Sequence, residues 1–211
     1  MSIDAVIQTT LRQGLVAMHI PFSEQQVEQL LQYITCLLEW RTAINLTAIR
    51  DPLKIAIHHL LDSLSLVPYL QGTRILDVGS GAGLPGIPLA IMAPTHQVIL
   101  LDKKLKSVQF LRQAVHTLGL KNTHVIHSPV ESYQPSSLFP CVVSRAVFAY
   151  PTLATQVVAL LEEAGTLLAM QGKWDPSVSQ RLPSTLIMEA AHRVQVFSLE
   201  GERHVVICRK K

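Results

Sequence analysis

A short apolar run passes directly into a glycine-rich segment at residues 75–87, which reads Ile-Leu-Asp-Val-Gly-Ser-Gly-Ala-Gly-Leu-Pro-Gly-Ile. Alternating glycines cost chain entropy, and they occur where the backbone needs unusual angles or must approach a ligand closely. An apolar run that ends in such a turn is typical of the first strand of a parallel α/β sheet, where ligands bind beyond the carboxyl ends of the strands. The segment therefore predicts a strand-to-helix turn that forms a ligand site, with Gly79, Gly81 and Gly83 in the turn.

Short apolar runs alternate with helical patterns after this point. We expect strands at residues 74–78, 98–102, 123–127, 141–144 and 166–170, and helices at 85–92, 106–118 and 151–161. This alternation predicts right-handed βαβ units and a mainly parallel sheet with helices on both faces. Two further runs, 194–198 and 204–208, flank a Glu-Gly-Glu sequence and predict an antiparallel hairpin that closes the sheet.

The first third of the chain is predicted to be helical. Ser23 and Gln26 form a capping-box pattern ahead of apolar residues at helical spacing. Asp51-Pro52 predicts another helix start, since Asp caps the first turn and Pro fits a position whose N–H has no partner. The polar residues expected within that helix or at its end are His58, His59 and Asp62. We therefore expect a helical extension over residues 1–70, packed on a core over residues 71–211.

Composition limits the protein class. The chain has 211 residues, of which 48% are hydrophobic and 16% charged, so it can bury one substantial core. No apolar stretch approaches the roughly 20 residues that span a bilayer, and the N-terminus lacks a secretory pattern, so we expect a cytoplasmic protein with no membrane partner. The cysteines Cys36, Cys141 and Cys208 are scattered among apolar neighbours, which predicts buried thiols, with no disulfide framework and no metal site.

Two ligands fit the glycine segment. Residues 81–86 match the G-x-G-x-x-G pattern of dinucleotide sites, and Asp102 follows at the end of the next predicted strand. However, Asp77 precedes Gly79 by two positions, and its carboxylate would repel a pyrophosphate while attracting the amino group and sulfonium of S-adenosylmethionine. Leu84-Pro85 also crowds the turn where a pyrophosphate needs room. The segment thus favours S-adenosylmethionine over NAD, with Asp102 placed to hold the ribose hydroxyls.

Four flanking segments add specificity: Asn45-Leu-Thr47, His59-Leu-Leu-Asp62-Ser63, Val143-Ser-Arg145-Ala and Gly201-Glu-Arg-His204. Together with the glycine segment, they resemble the bacterial 16S rRNA guanine-N7 methyltransferases, also called the glucose-inhibited division protein B family. The resemblance implies a class I S-adenosylmethionine-dependent methyltransferase fold, which is Rossmann-like, with a mainly parallel seven-stranded sheet, an antiparallel last strand and N-terminal helices. It implies S-adenosyl-L-methionine as methyl donor and a guanine in a decoding-region loop as substrate, in 16S rRNA or the small ribosomal subunit.

The resemblance also implies roles for individual residues. Gly79 and Leu84 resemble donor contacts, Asp102 resembles the ribose-binding acid, and Val130 with Glu131 resembles the pair that flanks the adenine. Arg145 resembles the arginine beside the donor. The complete predicted donor set is Asp77, Gly79, Gly81, Gly83, Leu84, Asp102, Val130, Glu131 and Arg145.

Methylation of guanine N7 makes few demands on acid–base chemistry. N7 keeps a lone pair in the ring plane and needs no deprotonation, so alignment matters more than a general base. The product is cationic, and Asp62 is a candidate for stabilising that charge or contacting the guanine edge, with a purely structural role equally open. Arg145 is predicted to act in the substrate pocket. Pro140-Cys141 matches the nucleophile pair of cytosine-C5 methyltransferases, but Cys141 begins an apolar strand, which favours a structural thiol.

The substrate stays open on residues alone. A methyltransferase for a small molecule or a protein would share the glycine segment, and a non-catalytic nucleotide-binding or ribosome-associated protein is a third possibility. Basic residues occur in two groups, and each group is as compatible with an RNA phosphate contact as with a solvated face. The groups are Lys103, Lys104, Lys106 and Arg112, and Arg203, Arg209, Lys210 and Lys211.

Overall fold

A computed structural model describes residues 2–40, 46–145 and 151–211 of the chain. Two helices come first, α1 (Ile3–Ala17) and α2 (Glu24–Trp40). The predicted capping box is confirmed, because the Gln26 backbone N–H donates to the Ser23 hydroxyl at 3.3 Å and the Ser23 N–H donates to the Gln26 side-chain oxygen at 2.8 Å. The apolar stripe that follows faces the core, with Val27, Leu30, Ile34 and Leu37 buried.

A third helical segment follows, and its middle is a π-helical turn. It consists of α3 (Pro52–Ile55), the π turn (Ala56–Leu61) and α4 (Asp62–Leu64). The predicted start is confirmed, since Asp51 accepts a hydrogen bond from the Leu53 N–H at 2.9 Å. Single π turns within helices are frequent at functional sites. This one contains His58 and His59, and Asp62 follows it directly.

Seven strands form one sheet in the order β3-β2-β1-β4-β5-β7-β6. The strands are β1 (Arg74–Val78), β2 (Gln97–Asp102), β3 (Thr123–His127), β4 (Phe139–Ser144), β5 (Leu161–Gln171), β6 (Leu186–Arg193) and β7 (His204–Lys210). The pairs among β1 to β5 are parallel, and β7 runs antiparallel to both β5 and β6. The predicted mainly parallel seven-stranded sheet with an antiparallel last strand is confirmed.

Three helices connect the parallel strands, namely α5 (Gly86–Met92), α6 (Leu105–Thr117) and α7 (Pro151–Val158). The helix predicted at residues 151–161 ends earlier because Leu161 already begins β5. The early part of β5 is missed by the sequence pattern since its residues 162–164 are exposed and the register with β4 shifts between Phe139 and Cys141. Charged and exposed residues in this irregular stretch conceal the strand.

The strand predicted at residues 194–198 is wrong. The partner of β7 is β6, in which His192 pairs with Val205. After β6 the chain leaves the ladder, and the Leu199 N–H bonds to the Val196 carbonyl at 3.1 Å. Val196 is 4% exposed and packs into a core cluster that also includes residues of α1 and α2. The apolar residues of this stretch therefore cover the core and do not extend the sheet.

Alternate residues of the strands pack into two cores, one on each face of the sheet. Ile75 belongs to the core formed with α1, α2, α5 and α6, whereas its neighbour Leu76 belongs to the core formed with α7. The N-terminal helices thus share a buried core with the first face of the sheet, and the division into 1–70 and 71–211 stays a prediction. Within the described ranges, no helix has the length and apolar character that a membrane crossing requires.

Candidate active site

Four parallel strands end at one edge of the sheet, which we call the carboxyl edge. The register pairs Val78 of β1 with Leu101 of β2, and Asp102 of β2 with His127 of β3. On the other side, Asp77 of β1 pairs with Val143 of β4. The segments that follow these strands are therefore neighbours, although they are far apart in the sequence. They include the residues predicted for the donor site and Arg145.

Residues 79–85, the glycine loop, connect β1 to α5 as predicted. The φ angles are +74° at Gly79, +55° at Gly81 and +83° at Gly83, and residues with a Cβ rarely adopt such angles. The N–H groups of Gly79 and Ser80 both donate to the Leu101 carbonyl, at 2.9 and 3.1 Å. A Cβ added at Gly79 would meet no atom within 4 Å, so one side of the loop faces open space at the carboxyl edge. That open face is where the sequence predicts a ligand.

Asp77 is buried beneath the glycine loop, with 1% of its surface exposed. Its Oδ2 accepts a hydrogen bond from the Gly86 N–H at 3.0 Å, which ties the end of the loop to β1. Its Oδ1 is buried and has no hydrogen-bond partner among the described residues. Burial raises the pKa of the Asp77 carboxyl to about 7, although the Gly86 N–H opposes the shift. A cation delivered to Oδ1 would satisfy this oxygen and favour the ionised carboxylate.

Asp102 holds the loop from the next strand. Its Oδ2 accepts a hydrogen bond from the Gly81 N–H and its Oδ1 accepts one from the Lys104 N–H, both at 2.8 Å. Asp102 is 7% exposed. Each carboxylate oxygen can accept more than one hydrogen bond, so the two backbone contacts leave capacity for ligand hydroxyls. The side chain predicted to bind ribose is therefore also a structural link between the loop and α6.

The remaining predicted donor residues lie around the same edge. Leu84 is 8% exposed, packs in the core, and precedes Pro85 through a cis peptide bond. Val130 and Glu131 lie in a 3-10 turn (Val130–Ser132) shortly after β3, with Val130 half-buried and Glu131 exposed. The structure thus brings all the predicted donor residues to the carboxyl edge, and their contacts with a donor stay a prediction.

Arg145, directly after β4, belongs to a cluster of three charged side chains. Asp62 lies between two guanidinium groups, with its Oδ2 3.6 Å from Arg145 and its Oδ1 3.2 Å from Arg203. The Asp62 side chain is 6% exposed, whereas those of Arg145 and Arg203 are 32% and 27% exposed. Burial raises the pKa of Asp62 above its ordinary value, while the two arginines act in the opposite direction. One buried carboxylate therefore fixes two arginines that remain open to solvent.

These three residues line a cleft of about 260 Å³. The cleft also includes Gln171 and Gly172 at the end of β5, and His204 at the start of β7. The His204 Nδ1 lies 2.9 Å from the Gly172 carbonyl, which links the two antiparallel strands at the cleft wall. Its charge and position in the sequence assign Arg203 only to a general basic group. Its place in the segment Gly201-Glu-Arg-His204, one of the four that carried the family resemblance, was the available signal for a site role.

His59 packs behind this cluster. Its Nε2 lies 2.6 Å from the Thr47 hydroxyl and its Nδ1 lies 3.1 Å from the His58 carbonyl. Burial lowers the pKa of His59 to about 4, and the positive charge of Arg145 adds to the effect. His59 is therefore neutral at physiological pH. Thr47 and His59 come from two segments of the resemblance, while Asn45 and Ala146 lie outside the described residues.

The cysteines lie away from this chemistry. All three thiols are buried and free, and burial raises the pKa of Cys141 to about 11. A thiol in that state is a poor nucleophile, which agrees with the structural role predicted for Cys141. Among residues 2–40, 46–145 and 151–211, no three His, Cys, Asp or Glu side chains are grouped as a metal site would require.

The part of the chain that is similar to known proteins includes all the residues of this site. The family model described as rRNA small subunit methyltransferase G matches residues 26–206. A protein named ribosomal RNA small subunit methyltransferase G from Alteromonas mediterranea is 38% identical over 211 residues, which is 100% of both chains. A protein of the same name from Marinobacter nauticus is 43% identical over 197 residues, covering 93% of this chain and 92% of the relative.

Solved structures agree at the level of the fold. A SAM-dependent methyltransferase from Aquifex aeolicus aligns with a TM-score of 0.56 at 18% identity, covering 76% of this chain and 94% of that chain. A second match is the N-methyltransferase NodS from Bradyrhizobium japonicum in complex with S-adenosyl-L-homocysteine. It aligns with a TM-score of 0.53 at 16% identity, covering 71% of this chain and 83% of that chain. The sheet and its crossover helices are thus those of the S-adenosylmethionine-dependent methyltransferases.

Proposed function

The chain belongs to the rRNA small subunit methyltransferase G family, and on that premise we propose that it transfers a methyl group from S-adenosylmethionine to N7 of one guanine in 16S rRNA. The observation that carries the proposal is the position of the cleft lined by Asp62, Arg145 and Arg203. Arg145, which lines the cleft, directly follows β4, and Asp77 lies on the neighbouring strand β1, paired with Val143 of β4. A donor site and a pocket for an anionic polymer therefore adjoin at one edge of the sheet.

The residues around the glycine loop fit S-adenosylmethionine. The buried Asp77 Oδ1 has no partner among the described residues, and the amino group of the donor is a cation that would supply one. The open face at Gly79 gives room for the ligand against the backbone. Asp102 keeps hydrogen-bonding capacity toward ribose hydroxyls, and Val130 with Glu131 would flank the adenine. Together with Leu84, these residues form the donor site that we propose.

The same residues disfavour a dinucleotide. The Asp77 carboxylate lies directly under the loop, where its negative charge would oppose a pyrophosphate. The ionised form becomes dominant above pH 7, so the opposition grows in the range where a cytoplasmic enzyme works. Binding of NAD tighter than that of S-adenosylmethionine would overturn the donor assignment.

When bound, S-adenosylmethionine supplies an activated methyl group on its sulfonium. The contribution of the protein is alignment, because guanine N7 needs no deprotonation before it attacks. Asp77 and Asp102 fix the loop from two strands through hydrogen bonds of 3.0 and 2.8 Å to Gly86 and Gly81. Because N7 attacks without deprotonation, we expect no general base in this active site.

Arg145 and Arg203 are proposed to hold the target nucleotide. Two guanidinium groups share one carboxylate, so the cleft keeps a net positive charge that suits a phosphate or the O6 edge of guanine. Asp62 is buried and already paired with both arginines, which favours a positioning role over direct stabilisation of the cationic product. Arg145 therefore contacts the substrate, and Asp62 orients the Arg145 side chain.

A methyltransferase for a small molecule or a protein is the alternative, and family membership disfavours it. The named relatives act on small-subunit rRNA, so we infer that 16S rRNA or the small ribosomal subunit is the partner and that the protein works in the bacterial cytoplasm, where subunits are assembled.

Transfer of labelled methyl groups tests the proposal. The protein would be incubated with labelled S-adenosylmethionine in three separate reactions. One contains naked 16S rRNA, one contains small subunits, and one contains a total metabolite extract. We expect label in 16S rRNA or in small subunits, with N7-methylguanosine as the labelled nucleoside. Label found only in metabolites or in protein would contradict the proposal.

A further inference from the structure

The positive charge of the chain is concentrated in one segment. Residues 103–130 contain five Lys or Arg side chains, three His side chains and no Asp or Glu. The whole chain carries a net charge of only +3, so the remainder is net negative. Such segregation is the electrostatic feature expected of a surface that meets nucleic acid.

The fold places this segment on one side of the molecule. It begins at Lys103 beside the glycine loop and runs through α6. It then returns through β3, which is an edge strand of the sheet. The basic side chains are all exposed, and none forms an ion pair with an acidic residue of the described chain. These residues are Lys103, Lys104, Lys106, Arg112, His116, Lys121, His124 and His127.

A groove of about 450 Å³ lies between α6 and β3. Four basic side chains surround it: Arg112 and His116, which are one turn apart on α6, and Lys121 and His124 at the start of β3. Apolar residues including Val115 and Val125 also line the groove, and no acidic residue does. Because α6 leads away from the carboxyl edge for about 20 Å, the groove lies at the far end of the sheet from the donor loop.

We propose that this groove, lined by Arg112, His116, Lys121 and His124, binds the phosphate backbone of the rRNA substrate at a distance from the target guanine. The inference rests on the proposed function and adds a second contact surface to it. Guanidinium, ammonium and imidazole groups without acidic partners are donors that phosphate oxygens accept from. A strip of charge that starts at the donor loop would lead the RNA from the cleft toward the groove.

A structural explanation of the same charges makes a different prediction. Charged side chains on an edge strand also prevent pairing with other sheets, and that role needs no ligand. In that case, loss of a groove charge would change solubility or aggregation and leave RNA affinity as it is. A groove that binds phosphate must instead affect the affinity and its dependence on salt.

The variant Lys121→Glu tests the proposal, with Lys211→Glu as a matched control. Both lysines are exposed and lie at opposite sides of the sheet, and the two substitutions change the charge equally. Binding of 16S rRNA would be measured at several salt concentrations, together with kcat and KM for methylation of small subunits and with affinity for S-adenosylmethionine. A double variant, Arg112→Glu with Lys121→Glu, extends the series.

For Lys121→Glu we expect RNA affinity to fall about tenfold and the slope of log K against log salt to decrease by about one. KM should rise in parallel, while kcat and donor affinity stay within about twofold, because the groove contributes only binding. Equal effects of Lys121→Glu and Lys211→Glu, or no effect of either, would overturn the proposal. If the wild-type protein methylates no small-subunit rRNA, the proposed function fails, and direct binding of 16S rRNA still decides the groove.

Discussion

The phenol of Tyr33, in α2, donates a hydrogen bond to the backbone carbonyl of Ala82 in the glycine loop. Tyr33 is fully buried. Two further α2 side chains reach the neighbouring helices, with Gln26 donating to the Ile91 carbonyl of α5 and Gln29 donating to the Leu118 carbonyl after α6, both at 2.9 Å. Helix α2 therefore supports the glycine loop and the two helices beside it.

Removal of the Tyr33 hydroxyl tests this support. In Tyr33→Phe the buried Ala82 carbonyl loses its donor, so we expect the free energy of unfolding to fall by about 1–3 kcal/mol. Affinity for S-adenosylmethionine should fall several-fold because the loop is less well held. Calorimetry of binding and denaturant unfolding measure the two effects. Tyr69→Phe is the control, since the half-buried Tyr69 ring stacks on His192, and equal effects of both variants on donor affinity would contradict the prediction.

Two glycines separate backbone strain from ligand contact. Gly79 and Gly119 have φ angles of +74° and +63°, and a Cβ at either position meets no atom within 4 Å. Gly79→Ala and Gly119→Ala should each cost about 1–2 kcal/mol of stability because alanine is strained at such angles. We expect only Gly79→Ala to weaken donor binding, by at least about tenfold. Normal donor binding by Gly79→Ala would show that the donor does not lie against this face of the loop.

Two buried groups have opposite effects on the pH dependence of stability. The pKa of Asp77 is raised to about 7, so between about pH 4 and pH 7 the folded protein holds a proton that the unfolded chain has lost. Stability therefore falls as the pH rises from about 4 to about 7. The pKa of His59 is lowered to about 4, so the unfolded chain binds a proton that the folded protein rejects, and stability falls as pH drops from 6.5 to 4. Between pH 4 and 6.5 the two contributions cancel in the wild-type protein.

Single variants should expose each contribution. Relative to the wild type, the stability of Asp77→Asn should rise with pH over this window, and that of His59→Gln should fall, each with a slope approaching about 1.4 kcal/mol per pH unit. The double variant should again run parallel to the wild type. Denaturant unfolding at a series of pH values provides the curves, and a wild-type slope in both single variants would contradict these two contributions.

Donor affinity should follow the same carboxyl group. Since a cationic donor favours ionised Asp77, binding of S-adenosylmethionine to the wild type should strengthen as pH rises through about 7. Asp77→Asn keeps an oxygen that can accept from the Gly86 N–H but loses the charge, so its affinity should be lower and should lack this dependence. Titration calorimetry at pH 6 and pH 8 distinguishes the two proteins. A parallel pH response in Asp77→Asn would assign the effect to another group.

Much of the fold follows from local sequence signals. The bounds predicted for β1 and β3 match the structure to the residue, because each short run with apolar residues ends at a turn. Asp77 and Asp102 were identified at strand ends for the same reason. The stretch at residues 194–198 was misassigned because its apolar residues are needed by the core, and local alternation does not distinguish that need from a strand.

Long-range contacts were beyond the reach of such signals. Arg203 bonds to Asp62, which is 141 positions away, and Tyr33 bonds to Ala82, which is 49 positions away. The residues around Arg203 do not indicate which carboxylate it pairs with. Only the sheet order, which brings β7 beside β5 and close to the end of β4, makes Arg203 and Arg145 share a partner.

The charge cluster leads to a prediction about catalysis. Arg203→Lys keeps a positive charge but loses the planar group that reaches Asp62, so Arg145 should be less well oriented. We expect kcat for small subunits to fall about tenfold or more, with affinity for S-adenosylmethionine changed less than about twofold. Arg209→Lys, which alters an arginine of β7 outside the cleft, is the control. A loss of donor affinity equal to the loss of kcat would place Arg203 in the donor site instead.

We propose that this protein methylates N7 of a single guanine in 16S rRNA. The most direct test maps N7-methylguanine along 16S rRNA from cells with the protein, cells without it, and cells complemented with the wild type or with Gly79→Ala. We predict that one N7-methylguanine in the decoding-region loop disappears without the protein, returns with the wild type, and remains reduced with Gly79→Ala. An unchanged 16S rRNA methylation map in cells that lack the protein would contradict it.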